Sequence, residues 1–151
     1  MSVNVGDQAP DFSAKATGDR EIRLSDYRGK KNVMLAFFPF AFSPVCSEQI
    51  PEYSANADRF AALDVEVLAV SVDSPWSQNA WAEQYGIRFP VLSDFSKKIT
   101  TDYGLLHEMG MSQRAVVIID KDGKVAYKKV QENIREAPSL DEIFSQLEAL
   151  K

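Results

Sequence analysis

Thiols and imidazoles are almost absent from this sequence: its 151 residues hold one cysteine, Cys46, and one histidine, His107. A lone cysteine excludes an intrachain disulfide and a structural zinc site built on several thiolates. It fits a reducing compartment, so a cytoplasmic location is expected. A lone histidine leaves too few ligands for metal catalysis, and neither a metal nor another cofactor is expected. Basic residues are in deficit, 17 Lys and Arg against 22 Asp and Glu, for a net charge of −5. The paired lysines Lys30-Lys31, Lys97-Lys98 and Lys128-Lys129 are scattered rather than gathered into a stripe, which argues against a nucleic-acid partner. No apolar run approaches the roughly 18 residues that span a bilayer, and residues 1–12 carry no apolar signal core, so no membrane partner is expected. Glycine and proline are sparse at seven each, without linker, repeat or low-complexity stretch. The remaining composition, 45% hydrophobic and 26% charged, is that of a globular chain, with a single domain over residues 1–151.

Alternating elements run along the chain. Residues 33–38 form an apolar run closed by Pro39, too short for an independent helix, and read as a buried strand. A helix follows Pro44, with Ile50, Tyr53, Ala57 and Phe60 on one face and Pro51 as a kink or first-turn marker. Residues 65–72 read as a second buried strand. Pro75–Tyr85 reads as a helix capped by Ser74 and closed by Gly86. Ala115–Ile119 and Val125–Val130 read as a hairpin around Asp120-Lys121-Asp122-Gly123, a tight turn in preference to a calcium loop. A last helix starts at Ser139 with Glu142 completing a capping box, and Leu140, Ile143, Phe144, Leu147 and Leu150 line its buried face. Parallel strands joined by a helix, then an antiparallel pair, ask for an α/β fold: a central mixed β-sheet with helices on both faces, the thioredoxin-like arrangement.

Chemistry concentrates in Pro39-Phe40-Ala41-Phe42-Ser43-Pro44-Val45-Cys46, where a buried strand passes into a helix. A lone cysteine is ordinarily a small buried hydrophobe. Here it falls in a first helical turn, where free N–H groups and the positive end of the helix dipole favour a thiolate. Pro44 suits the opening turn, Pro39 can wall the sulfur from water, and Ser43 can aim its hydroxyl at whatever the sulfur attacks.

Pro39-x-x-x-Ser43-x-x-Cys46 resembles the peroxiredoxin signature P-x-x-x-[T/S]-x-x-C. Gly6-Asp7-Gln8-Ala9-Pro10-Asp11-Phe12, Trp81 followed by Phe89-Pro90-Val91-Leu92-Ser93-Asp94, and Arg114 leading into Ala115 to Asp120 resemble further family motifs in the family's order. Serine stands at position 43 where threonine is commoner, and Gln49 where many members carry glutamate. With one cysteine, the chain is similar to the single-cysteine, alkyl hydroperoxide reductase E-like group.

The resemblance implies a thiol-dependent peroxidase. Cys46 attacks the peroxide O–O bond and becomes a sulfenic acid. Arg114 and Ser43, with the backbone N–H groups of Val45 and Cys46, meet the developing charge. Pro39 shields the thiolate, while Gln49 orients Arg114 and Trp81 supports the site from behind. Phe40 and Phe42, with Phe89 or Trp81, offer an apolar lining to hydrogen peroxide or organic hydroperoxides. An external thiol must restore the cysteine, whether a low-molecular-weight thiol, a glutaredoxin-like protein or a thioredoxin. A homodimer through the active-site loops is expected from Phe40, Phe42 and Trp76, and Trp76, Trp81, Tyr85 and Tyr103 read as core or dimer contacts rather than a cofactor box. Dithiol exchange lacks the first thiol of C-x-x-C, a cysteine hydrolase lacks a histidine base other than His107, which reads as a surface histidine in a loop or edge segment, and a peroxide-responsive sensor or binding module remains the non-enzymatic alternative.

Overall fold

The fold is that of a computed structural model, which describes residues 3–133 and 135–150. Met1, Ser2, Ile134 and Lys151 lie outside the described residues, and with them the ends of the expected 1–151 domain. In chain order the elements are β1 (Ser13–Ala16), β2 (Arg20–Arg23), a 3-10 turn (Leu24–Tyr27), β3 (Asn32–Phe37), α1 (Cys46–Ala55), α2 (Ala57–Ala62) and β4 (Val65–Ser71). They continue with α3 (Pro75–Tyr85), β5 (Val91–Ser93), α4 (Lys98–Asp102), β6 (Ala115–Ile119), β7 (Val125–Val130) and α5 (Leu140–Glu148).

One seven-stranded sheet takes the order β2-β1-β5-β4-β3-β6-β7. β3 lies near its middle, parallel to β4 and antiparallel to β6, and every residue of β3 is buried. Strand side chains alternate between faces, so β3 feeds two cores. Met34 and Ala36, with Phe38 just beyond the strand, pack with Ile50, Phe60, Trp81 and Phe144 from α1, α2, α3 and α5. Val33, Leu35 and Phe37 pack on the opposite face with Leu24, Ile99 and Tyr103. A strand covered on both faces has to be apolar throughout, which is why residues 33–38 show no polar alternation. The mixed sheet with helices on both faces is the expected thioredoxin-like arrangement.

Some expectations are corrected. The helix after Pro44 is two helices: Pro51 sits inside α1 without ending it, and the break comes at Asn56, whose Nδ2 donates to the Glu52 carbonyl at 2.9 Å. Ala57 is consequently only half-buried, whereas Phe60 is buried and stacks on Phe144 at 4.6 Å. Ser139 does cap α5, accepting from Glu142 N–H at 3.5 Å. The carboxylate of Glu142 instead accepts from Tyr127 Oη at 2.8 Å, so only half of the capping box is made. The hairpin of β1 and β2, strand β5 and helix α4 have no counterpart in the sequence reading.

Candidate active site

Two backbone facts bring the site together. β3 runs out at Phe37, and Phe38 N–H still bonds to the Val70 carbonyl at 3.0 Å before the chain turns through the buried Pro39 towards α1. β6 runs antiparallel to β3 with Ala115 opposite Phe37. Arg114, the residue before Ala115, therefore arrives at the same end of the sheet as the loop leading to Cys46. Sixty-eight residues of sequence separation close to a contact: Arg114 Nη2 donates to Cys46 Sγ at 3.1 Å.

Cys46 is 0% exposed and Arg114 2%. A buried guanidinium is tolerated only where acceptors surround it. Besides the sulfur, Gln49 Oε1 accepts from Arg114 Nη1. Gln49 sits one helical turn after Cys46, is itself buried, and donates through Nε2 to Tyr53 Oη at 3.2 Å. Tyr53 in turn donates to the Pro138 carbonyl at 3.1 Å. Burial, opposed by the bond from Gln49, pushes the Tyr53 phenol up to about 12, so it stays a neutral donor through the neutral range. The chain Arg114–Gln49–Tyr53–Pro138 was invisible in the sequence beyond its first link. Tyr53 read there as a core residue, and no spacing rule ties it to Pro138.

Cys46 opens α1, with Val45 as its N-cap. Among the described residues, no acceptor is bonded to the N–H of Val45 or Cys46, the state expected of a first helical turn. Ser43 Oγ is also shielded from solvent and without a hydrogen-bond partner. The sulfur thus accepts from one arm of a guanidinium fork, and the segment that leads into it carries an uncommitted hydroxyl and uncommitted backbone N–H groups. The same set can stabilise negative charge on sulfur and then on an oxygen beside it.

Trp81 supports this turn from behind. It is 0% exposed, stacks on Phe38 at 5.0 Å between ring centres, and donates through Nε1 to Ser47 Oγ at 3.2 Å. It holds the first turn of α1 against the end of β3. Phe89 is likewise buried in the core, so neither Trp81 nor Phe89 forms an open lining for substrate, which corrects that expectation. Phe40 and Phe42 are 44% and 49% exposed and remain at the surface with Trp76 at 82%. Trp81 and Tyr103 belong to cores on opposite faces of the sheet, so the aromatics form no common box. His107 lies in a loop, its Nδ1 accepting from Met109 N–H at 3.1 Å. Asp120 closes the hairpin by accepting from Asp122 N–H at 2.9 Å and from Lys124 N–H at 3.0 Å.

A family model described as AhpC/TSA family matches residues 5–128. The chain belongs to the AhpC/TSA family, the peroxiredoxins. It is 40% identical over 161 residues to the chloroplastic 2-cysteine peroxiredoxin of Chattonella marina var. antiqua, covering 100% of this chain and 82% of that one. It is 34% identical over 133 residues to the alkyl hydroperoxide reductase E of Mycobacterium bovis, covering 86% of this chain and 87% of the relative. The reduced 2-Cys peroxiredoxin of Plasmodium vivax superposes with a TM-score of 0.91 at 37% identity, covering 97% of this chain and 81% of that one. As a peroxiredoxin the chain is a thiol-dependent peroxidase, and the binding-module or sensor alternative is not favoured. Its relatives include proteins named for two cysteines, whereas this sequence has one.

Proposed function

We propose that this peroxiredoxin works through a one-cysteine cycle centred on Cys46. The observation that carries the reading is that the only thiol in the sequence is fully buried and hydrogen-bonded to Arg114. In the first step the Cys46 thiolate attacks one oxygen of a hydroperoxide. The S–O bond forms, the O–O bond breaks, and the leaving alkoxide or hydroxide takes a proton to become an alcohol or water. Arg114 spans the sulfur and the attacked oxygen, Ser43 Oγ and the N–H groups of Val45 and Cys46 donate to the oxygens as charge moves onto them, and Pro39 keeps bulk water off the sulfur.

In the second step an external thiol attacks the sulfenic sulfur, releasing water and leaving a mixed disulfide, which a second thiol reduces back to Cys46. Low-molecular-weight thiols, a glutaredoxin-like protein or a thioredoxin meet that requirement, in a reducing compartment such as the cytoplasm. Because Cys46 is fully buried, the loop before it or the first turn of α1 has to open for a thiol to reach the sulfur. Exposed Phe40 and Phe42 give an apolar rim, which suits organic hydroperoxides as well as hydrogen peroxide. With Trp76 they also suit a homodimer contact; a sedimentation experiment that finds only monomer contradicts that part.

One equivalent of peroxide, followed by dimedone trapping, intact mass and non-reducing electrophoresis, tests the cycle. The expected product is a trapped sulfenic acid on a chain free of disulfide, with turnover appearing only when thiol is added. A disulfide-linked pair of chains as the main product contradicts it.

A further inference from the structure

The loop that delivers Ser43 to the site carries backbone strain at Phe42. Phe42 has a φ of 70°, in the left-handed region where a residue other than glycine is strained, and such strain persists only where the surroundings over-determine it. Within the loop, Ser43 N–H reaches the Phe40 carbonyl at the long distance of 3.3 Å.

The firmer anchor comes from beyond β4. Asp73 Oδ2 accepts from Ala41 N–H at 2.7 Å and from Ser71 Oγ at 2.6 Å. Ser71 is fully buried, and its hydroxyl accepts from Gln78 Nε2 at 2.9 Å. The same Gln78 Nε2 reaches the Leu92 carbonyl at 2.8 Å, and Ser93 Oγ donates to the Asp73 carbonyl at 2.7 Å. Asp73 is therefore tied to β4, β5 and α3 at once, and its bond to Ala41 extends that rigid frame to the strained loop. What the loop places is Ser43 Oγ, buried and uncommitted.

We infer that Asp73 is a positioning residue for peroxide reduction: by fixing Ala41 to the end of β4 it holds Ser43 Oγ where it can donate to the reacting oxygens beside Cys46. The inference rests on the peroxidase reading and deepens it. Asp73 acts through Ala41 and Ser43, so its loss misplaces a donor while leaving the sulfur and Arg114 in place.

The test compares two reactions of the same sulfur in the full chain. Oxidation of Cys46 by hydrogen peroxide needs the placed donors, whereas alkylation by iodoacetamide needs only the thiolate and the opening of the loop that covers it. Asp73→Ala is expected to slow oxidation roughly 10- to 100-fold while alkylation at the same pH is as fast as in wild type or faster, because a loosened loop uncovers the buried sulfur. Asp73→Asn, whose amide oxygen can still accept from Ala41 N–H, is expected to recover most of the oxidation rate. Unchanged oxidation in Asp73→Ala overturns the inference, and so does a parallel fall in both reactions, which marks a loss of thiolate or of fold. Should Asp73→Ala fail to fold, Ser71→Ala, which strips the second donor from the same oxygen, is judged by the same ratio. Slow oxidation of the wild type overturns the peroxidase reading and the inference together; fast wild-type oxidation with unresponsive variants overturns the inference alone.

Discussion

At the scale of single residues, the arrangement assigns separate work to charge and to hydroxyl. Arg114 contacts both Cys46 Sγ and Gln49 Oε1 with the two arms of its fork, a geometry that a single ammonium cannot reproduce. Arg114→Lys keeps the charge and loses the fork, so oxidation of Cys46 by peroxide is expected to fall about 100-fold in stopped-flow measurements. Ser43→Thr keeps the hydroxyl and is expected to stay within about threefold of wild type, with Ser43→Ala at least about tenfold slower. Equal rates for the two Ser43 variants would show that the hydroxyl takes no part. The sequence exposed these residues unevenly. Cys46, Ser43, Pro39 and Arg114 stand in motifs of fixed spacing, but Asp73 on Ala41 and Tyr53 on Pro138 are contacts between distant segments that no local pattern encodes.

At the scale of elements, legibility followed the strength of local punctuation. Helix α3 has the predicted bounds because both ends are written into the chain: Ser74 Oγ accepts from Ser77 N–H at 3.2 Å, and Gly86 takes a φ of 63° to close the last turn. Ser74→Ala is expected to cost about 1 kcal/mol in urea unfolding; no shift in the midpoint would remove the cap from the account. The division between α1 and α2 was hidden because Ile50, Tyr53 and Phe60 keep a helical rhythm straight across Asn56. Strands β1 and β2, with sequences SAKA and REIR, carry too little apolar alternation to announce themselves. Their one local signal was Gly18-Asp19, where both residues take positive φ, 77° and 55°, to turn the hairpin.

At the scale of the whole molecule, four tyrosines, Tyr27 among them, make the fold sensitive to alkali. Burial raises Tyr53 to about 12 and raises Tyr103 as well, and Tyr127 is raised by desolvation and by its bond to Glu142. A phenol that holds its proton more tightly when folded contributes stability that is complete below the unfolded value of 10.0 and is lost as pH rises through the folded value. Stability is therefore expected to be flat towards neutral pH and to fall between pH 10 and about 12. Tyr53 accounts for on the order of 2–3 kcal/mol of that fall. Chemical denaturation across this range should show a shallower slope in Tyr53→Phe; identical slopes would contradict the assignment.

The central claim, that Cys46 is the peroxidatic thiol of this chain, is tested most directly by its rate. Trp81 stacks on Phe38 and bonds to Ser47, the neighbour of Cys46, so tryptophan fluorescence reports on the turn that carries the sulfur. In a stopped-flow instrument, reduced protein mixed with hydrogen peroxide or an organic hydroperoxide is expected to oxidise at least about 1,000-fold faster than free cysteine. The fast phase should be absent in Cys46→Ser, and mass spectrometry should find one oxygen added at Cys46. Oxidation no faster than that of a free thiol would contradict the account.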